Sequence, residues 1–160
     1  MFQLKTIQDL PCTPGQAWTF LSDPRNLSVI TPPEMGFAIK TKVPEEMYEG
    51  LIIAYTVRPL AGVPVEWVTE ITKVVPGHYF IDEQRIGPYR MWHHEHWIEP
   101  IEGGVRMRDL VSYALPLEPL SRPLHGLLVR PRLEQIFAYR KKRLEAIFGT
   151  MSAPAVRPKS

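Results

Sequence analysis

Residues 89–115, YRMWHHEHWIEPIEGGVRMRDLVSYAL, read as two antiparallel strands joined at Gly103-Gly104. In the second strand the odd positions are Val105, Met107, Asp109, Val111, Tyr113 and Leu115, and the even ones include Arg106, Arg108 and Ser112. Alternation of this kind marks a strand with one buried and one wet face, so the odd set points inward. A two- or four-residue turn at the glycines sets odd positions opposite even ones. The inward set of the first strand is then Trp92, His94, His96 and Ile98. Its outward set holds Glu95 and Glu99, expected across from Arg106 and Arg108 as cross-strand charge pairing prefers. Three ionisable side chains, His94, His96 and Asp109, thus share an otherwise apolar face.

A buried carboxylate without a partner costs several kcal/mol or is forced neutral. Asp109 therefore needs a partner, and His96 is the nearest candidate in either register. Three readings of the cluster stand side by side. It is a satisfied polar pair within the sheet, the polar floor of a ligand cavity, or a metal site. His94, His96 and Asp109 would be the ligands of that metal, since two same-face histidines on one strand match a known ligand spacing.

With 160 residues and 44% hydrophobic content, the chain suits one globular domain with a sizeable core. A net charge of +2 with dispersed basic residues argues against a nucleic-acid partner. A single cysteine, Cys12, excludes an internal disulfide and a cysteine-based zinc site, and fits a reducing cytoplasm. There is no signal-peptide pattern, no apolar run near the roughly 20 residues that span a bilayer, and no motif that calls for a cofactor. The expectation is a cytoplasmic protein that touches membranes only transiently.

Residues 2–9 alternate as a first strand, and Thr13-Pro14 starts a helix whose apolar stripe is Ala17, Trp18 and Leu21. A second short helix follows Asp23-Pro24. Strands are expected near 36–43, 49–59, 65–75 and 78–86, joined by spacers short enough to make an antiparallel meander. Their inward residues are Leu51, Ile53, Tyr55 and Val57, then Trp67, Thr69 and Ile71, then Phe80, Asp82 and Gln84. The Pro- and Leu-rich stretch 116–131 has no clean period. From Leu133 a helical stripe runs through Ile136, Phe137, Leu144, Ile147 and Phe148 to a cap at Gly149. Residues 150–160 read as a disordered tail, leaving one domain over 1–149. Arg140 interrupts the last stripe. Either it snorkels to water at the stripe's edge, or it sits in a cavity paired to Asp109, Asp82 or an acidic ligand.

One strand, two short helices, a six-strand meander and a long C-terminal helix is the order of the helix-grip fold, an α+β class. The chain resembles the SRPBCC superfamily, which holds START-like and polyketide cyclase-like domains, and within it the bacterial ligand-binding, cell-division-inhibitor-related proteins. Residues 27–32 (LSVITP), 58–72 (RPLAGVPVEWVTEIT), 82–96 (DEQRIGPYRMWHHEH) and 136–140 (IFAYR) carry the resemblance, which spans about 1–149. It implies a curved sheet of about seven strands around the last helix, with a cavity between them lined by Tyr55, Trp67, Trp92, His94, His96, Asp109, Tyr113, Phe137 and Arg140. The implied function is to bind or carry a small hydrophobic or amphipathic molecule (lipid, isoprenoid, quinone or polyketide-like), with loops 60–64 and 116–131 as gates. The alternative is an enzyme of cyclase or dehydratase type using a His96–Asp109 acid/base pair with Arg140, although no established catalytic motif of the cyclases matches. A third reading is a protein- or membrane-binding adaptor with a filled core and the Leu-rich segment 120–133 as contact surface.

Overall fold

Strands β6 (Met91–Ile101) and β7 (Gly104–Ala114) form the central hairpin of the protein, seen in a computed structural model that describes residues 1–59, 62–117, 120–121, 123 and 125–151. Ile101 pairs with Gly104, so the turn is Glu102-Gly103, one residue earlier than expected, and Gly103 takes the left-handed φ of +77° that this tight turn requires. The parity is unchanged. Trp92, His94, His96 and Ile98 are buried on β6, and Val105, Met107, Asp109, Val111 and Tyr113 on β7.

The outward face departs from the expected pairing. Glu99 does lie opposite Arg106, but Arg108 lies opposite Trp97 and Glu95 opposite Leu110. Arg108 sits over the Trp97 ring at 5.2 Å and reaches Glu99 diagonally at 2.9 Å. Arg106 is drawn instead to Asp9 on the neighbouring strand, through two hydrogen bonds of 2.8 Å. A planar guanidinium prefers that two-point match to a single contact.

Five more strands complete one antiparallel sheet: β1 (Phe2–Leu10), β2 (Ala38–Ile39), β3 (Ile52–Val57), β4 (Val65–Val75) and β5 (Tyr79–Ile86). Their order is β1-β7-β6-β5-β4-β3-β2. Every pair but β1–β7 is a sequence neighbour, because short spacers leave no room for crossovers. Shifts in the β4–β5 register at Val68/Thr69 and Ile71/Lys73 bend the sheet. The expected strand 36–43 shrinks to two residues. It lies at the sheet's edge, and brevity there limits the unpaired backbone on offer.

Helix α1 (Pro14–Leu21) begins with a capping box: Gln16 N–H donates to Thr13 Oγ1 at 3.2 Å and Thr13 N–H to Gln16 Oε1 at 2.9 Å. The second short helix is a 3-10 turn, Pro24–Ser28, and another follows at Pro33–Met35. The long C-terminal helix α2 (Arg130–Phe148) starts three residues before the expected Leu133, after a π turn at His125–Val129. It buries Leu133, Phe137, Arg140 and Leu144, while Ile147 is exposed on its far side. The result is a helix-grip α+β fold in which α2 covers the inward face of a curved seven-stranded sheet. No described helix is long and apolar enough to cross a membrane. Of the expected tail, residues 152–160 lie outside the described residues, as do parts of both proposed gates (60–61, 118–119, 122 and 124).

Gly104 closes the β1–β7 junction: a Cβ there would overlap the carbonyl oxygen of Leu10, which is fully buried. Gly104→Ala is expected to cost about 1–3 kcal/mol, as overpacking does, read as a lower urea midpoint with the slope unchanged. An unaltered midpoint would show that the junction yields freely.

Candidate functional site

Three adjacent strands and the helix bring five polar side chains to one buried point. His94 and His96, two apart on β6, share its inward face, with ring centroids 3.6 Å apart. The register sets Asp82 on β5 opposite His94, and Asp109 on β7 opposite His96. Arg140 descends from α2. Asp109 Oδ1 lies 3.0 Å from His94 Nε2, 3.1 Å from His96 Nδ1 and 3.2 Å from Arg140 Nη2. Its other oxygen accepts from Thr6 Oγ1 at 3.2 Å. On the opposite side of the imidazoles, Asp82 Oδ2 lies 2.7 Å from His96 Nε2 and 3.6 Å from His94 Nδ1. Phe80 stacks on His96 at 4.1 Å and fixes its plane.

Arg140 is 8% exposed, so it does not snorkel; it is committed to the cluster. A guanidinium holds its charge at any ordinary pH, and that charge governs its neighbours. Burial alone would raise the Asp109 pKa, but the Arg140 charge and the adjacent His94 and His96 outweigh it and hold the carboxyl well below its usual range. Asp82 is likewise lowered despite burial, through its bond to His96 and the neighbouring His94 and Arg140. His94 moves the other way: burial first, then proximity to His96, push it down to about 4 against the pull of both carboxylates. It is a neutral imidazole at pH 7.

Beside this cluster lies a cavity of about 190 Å³ between sheet and helix. Of the residues named from sequence, Tyr55, Trp67, Trp92, His94, His96, Phe137 and Arg140 line it. Asp109 and Tyr113 do not. Asp109 stands behind the histidines and faces a separate recess between β1 and α2, shared with Thr6 and Arg140. Tyr113 is 1% exposed, and its hydroxyl is bonded to His125 Nε2 at 2.8 Å. Among the described residues, two buried donors on residues of the cavity wall, Trp67 Nε1 and Arg140 Nε, have no hydrogen-bond partner.

Other wall residues escaped the sequence reading. Met35, Phe37 and Met47 come from the irregular stretch between α1 and β3, where no periodicity marks an inward side. Asp82 was legible as inward from the alternation of β5, and only as one possible partner for Arg140. Its bond to His96 depends on how β5 is staggered against β6, and the parity of one strand does not carry that information.

A family model described as "Domain of unknown function (DUF8410)" matches residues 28–148. No curated protein matches the chain. Solved structures with the same fold include protein Ms6760 from Mycobacterium smegmatis, with a TM-score of 0.67 and 18% identity over 91% of this chain and 89% of that one. Protein CV1439 from Chromobacterium violaceum has a TM-score of 0.67 and 15% identity over 93% and 99%. TTHA0849 from Thermus thermophilus has a TM-score of 0.62 and 16% identity over 91% and 99%. Identities this low speak to the fold alone.

Removing Arg140 leaves Asp109 with its charge poorly compensated. Arg140→Met should cost about 3–5 kcal/mol, and adding Asp109→Asn should return part of it, so that a double-mutant cycle shows coupling. Additive losses would mean that the two charges are independent. A pH effect follows from His94. The unfolded chain takes up this proton near 6.5 and the folded protein only near 4, so stability falls as pH drops between those values. The thermal midpoint should therefore decline from pH 7 to 4.5, and less steeply in His94→Asn. Parallel declines in the two proteins would assign the acid sensitivity elsewhere.

Proposed function

The chain belongs to the DUF8410 family, whose description names no function, and from the chemistry of its cavity we propose that it binds and carries a small amphipathic molecule. One observation carries the reading: an apolar cavity between sheet and helix ends on a polar cluster to which Asp82, His94, His96 and Arg140 contribute. Ligand sites combine an apolar lining with a few orienting polar groups in this way. The helix-grip fold supports the resemblance to the SRPBCC superfamily and its ligand-binding, START-like members. Membership in its cell-division-inhibitor-related subfamily and a cytoplasmic setting belong to the same proposal.

Size and charge narrow the ligand. At about 190 Å³ the cavity is near the roughly 150 Å³ that accommodates benzene in an engineered protein, so it suits one ring or a short chain. Longer isoprenoid or lipid tails would have to extend outside it. The positive charge of Arg140 is already matched by Asp109, and Asp82 adds a second negative charge to the wall. A neutral head with a carbonyl or hydroxyl oxygen therefore fits better than a carboxylate.

A second reading, an acid–base enzyme of cyclase or dehydratase type, draws on His96, which lines the cavity with a carboxylate beside each ring nitrogen. Turnover with a bell-shaped pH profile, lost in His96→Gln, would replace the carrier reading.

Titration of the tryptophan fluorescence with 2-octanone, 1-octanol and octanoate tests the proposal. Saturable binding is expected for the neutral compounds, at least tenfold tighter than for octanoate. Ile53→Trp, which fills the cavity, should abolish it. If none of the three binds, and denaturation of freshly purified protein releases no organic species in mass spectrometry, the carrier reading fails.

A further inference from the structure

The geometry points to a divalent transition-metal site formed by Asp82, His94 and His96, with Asp109 as the residue that orients both imidazoles. One ligand atom from each of the three lies within 4.8 Å of the others. His94 Nδ1 and His96 Nε2 face Asp82 Oδ2, at 3.6 and 2.7 Å. In a tetrahedral site with bonds of about 2.0–2.1 Å, neighbouring ligand atoms are about 3.3 Å apart. Insertion of the ion thus replaces the His96–Asp82 hydrogen bond and opens that edge by about 0.6 Å. The His94–Asp82 edge already has nearly the required length, and the third edge, between the two imidazole nitrogens, is within 4.8 Å.

The opposite ring nitrogens make the stronger case. His94 Nε2 and His96 Nδ1 both lie against Asp109 Oδ1, at 3.0 and 3.1 Å. Metal-binding histidines characteristically give their second N–H to a carboxylate, which sets the tautomer and makes the free nitrogen a better ligand. Here a single carboxylate would do so for two histidines, and Thr6 and Arg140 hold it in place. Without an ion, His96 has its Nε2–H on Asp82 and accepts from Arg140 Nη2 at 3.2 Å. With one, the proton moves to Nδ1 and is donated to Asp109.

Charge selects the same side of the rings. Arg140 occupies the Asp109 side and would repel a cation there, which favours Asp82 over Asp109 as the carboxylate ligand. Two imidazoles and a carboxylate suit Zn²⁺ or Fe²⁺. All three ligands line the cavity, so the remaining coordination positions face it. The site stands independently of the carrier reading, because the ion alone is the probe.

The test uses the full-length protein, stripped with EDTA and titrated with Zn²⁺ and Co²⁺ in equilibrium dialysis. One equivalent should bind. Asp82→Asn and His96→Gln should lose it, and Asp109→Asn should weaken it 10–100-fold, as loss of an orienting partner does. His93→Gln, which alters the outward His93–Glu83 pair, should change nothing. The absence of stoichiometric binding overturns the site, and so does binding that survives Asp82→Asn and His96→Gln or depends on His93. Should the variants fail to fold, pulsed EPR of the Cu²⁺-loaded wild type decides by counting imidazoles. Two are expected, and any other number overturns the assignment.

Discussion

The Asp109 carboxylate is the point on which the site depends. It is nearly buried, and it receives contacts from β1 through Thr6, from β6 through both histidines and from α2 through Arg140. Removing a carboxylate from water costs far more than one contact returns, so it must be matched from several directions at once. That requirement ties the helix to the sheet at one height and fixes the orientation of two imidazoles. A purely apolar seam between α2 and the sheet could slide by a residue without such a penalty.

The cavity follows from the same arrangement. Arg140 occupies a position in the α2 stripe where a leucine would otherwise press against β6, and its head is committed to Asp109. Trp67, Trp92 and Tyr89 pack edge-on and tilted around each other, with centroids 4.8–5.6 Å apart, and do not fill the space beside the cluster. Aromatic rings prefer these offset geometries to close face-to-face stacking, and they suit a wall better than a plug. The cavity thus has a rigid aromatic side and a polar end.

Much of this was legible beforehand, and the successes share one cause. Strand alternation has a period of two, so the inward placement of His94, His96 and Asp109 survives a turn one residue away from where the glycines suggested it. The failures share another. Parity and charge pairing place Glu95 and Glu99 across from Arg106 and Arg108, but the stagger between β6 and β7 gives Arg108 a tryptophan and a diagonal glutamate. Met35, Phe37 and Met47 reach the cavity from a stretch with too little regular structure to show an inward side.

By itself, then, the sequence determined the strand count, the antiparallel connections and which face of each strand is dry, because all three follow from local periodicity and short spacers. Whether Arg140 was a solvated residue or a buried charge was not written in its helix, where both readings fit the same stripe. Only the tertiary structure decided that, and only it placed Asp82 against His96 while leaving Asp109 behind the rings. The reason is physical: residues distant in the chain meet at distances set by sheet stagger and helix height, and at contact range a shift of one residue separates an ion pair from no contact.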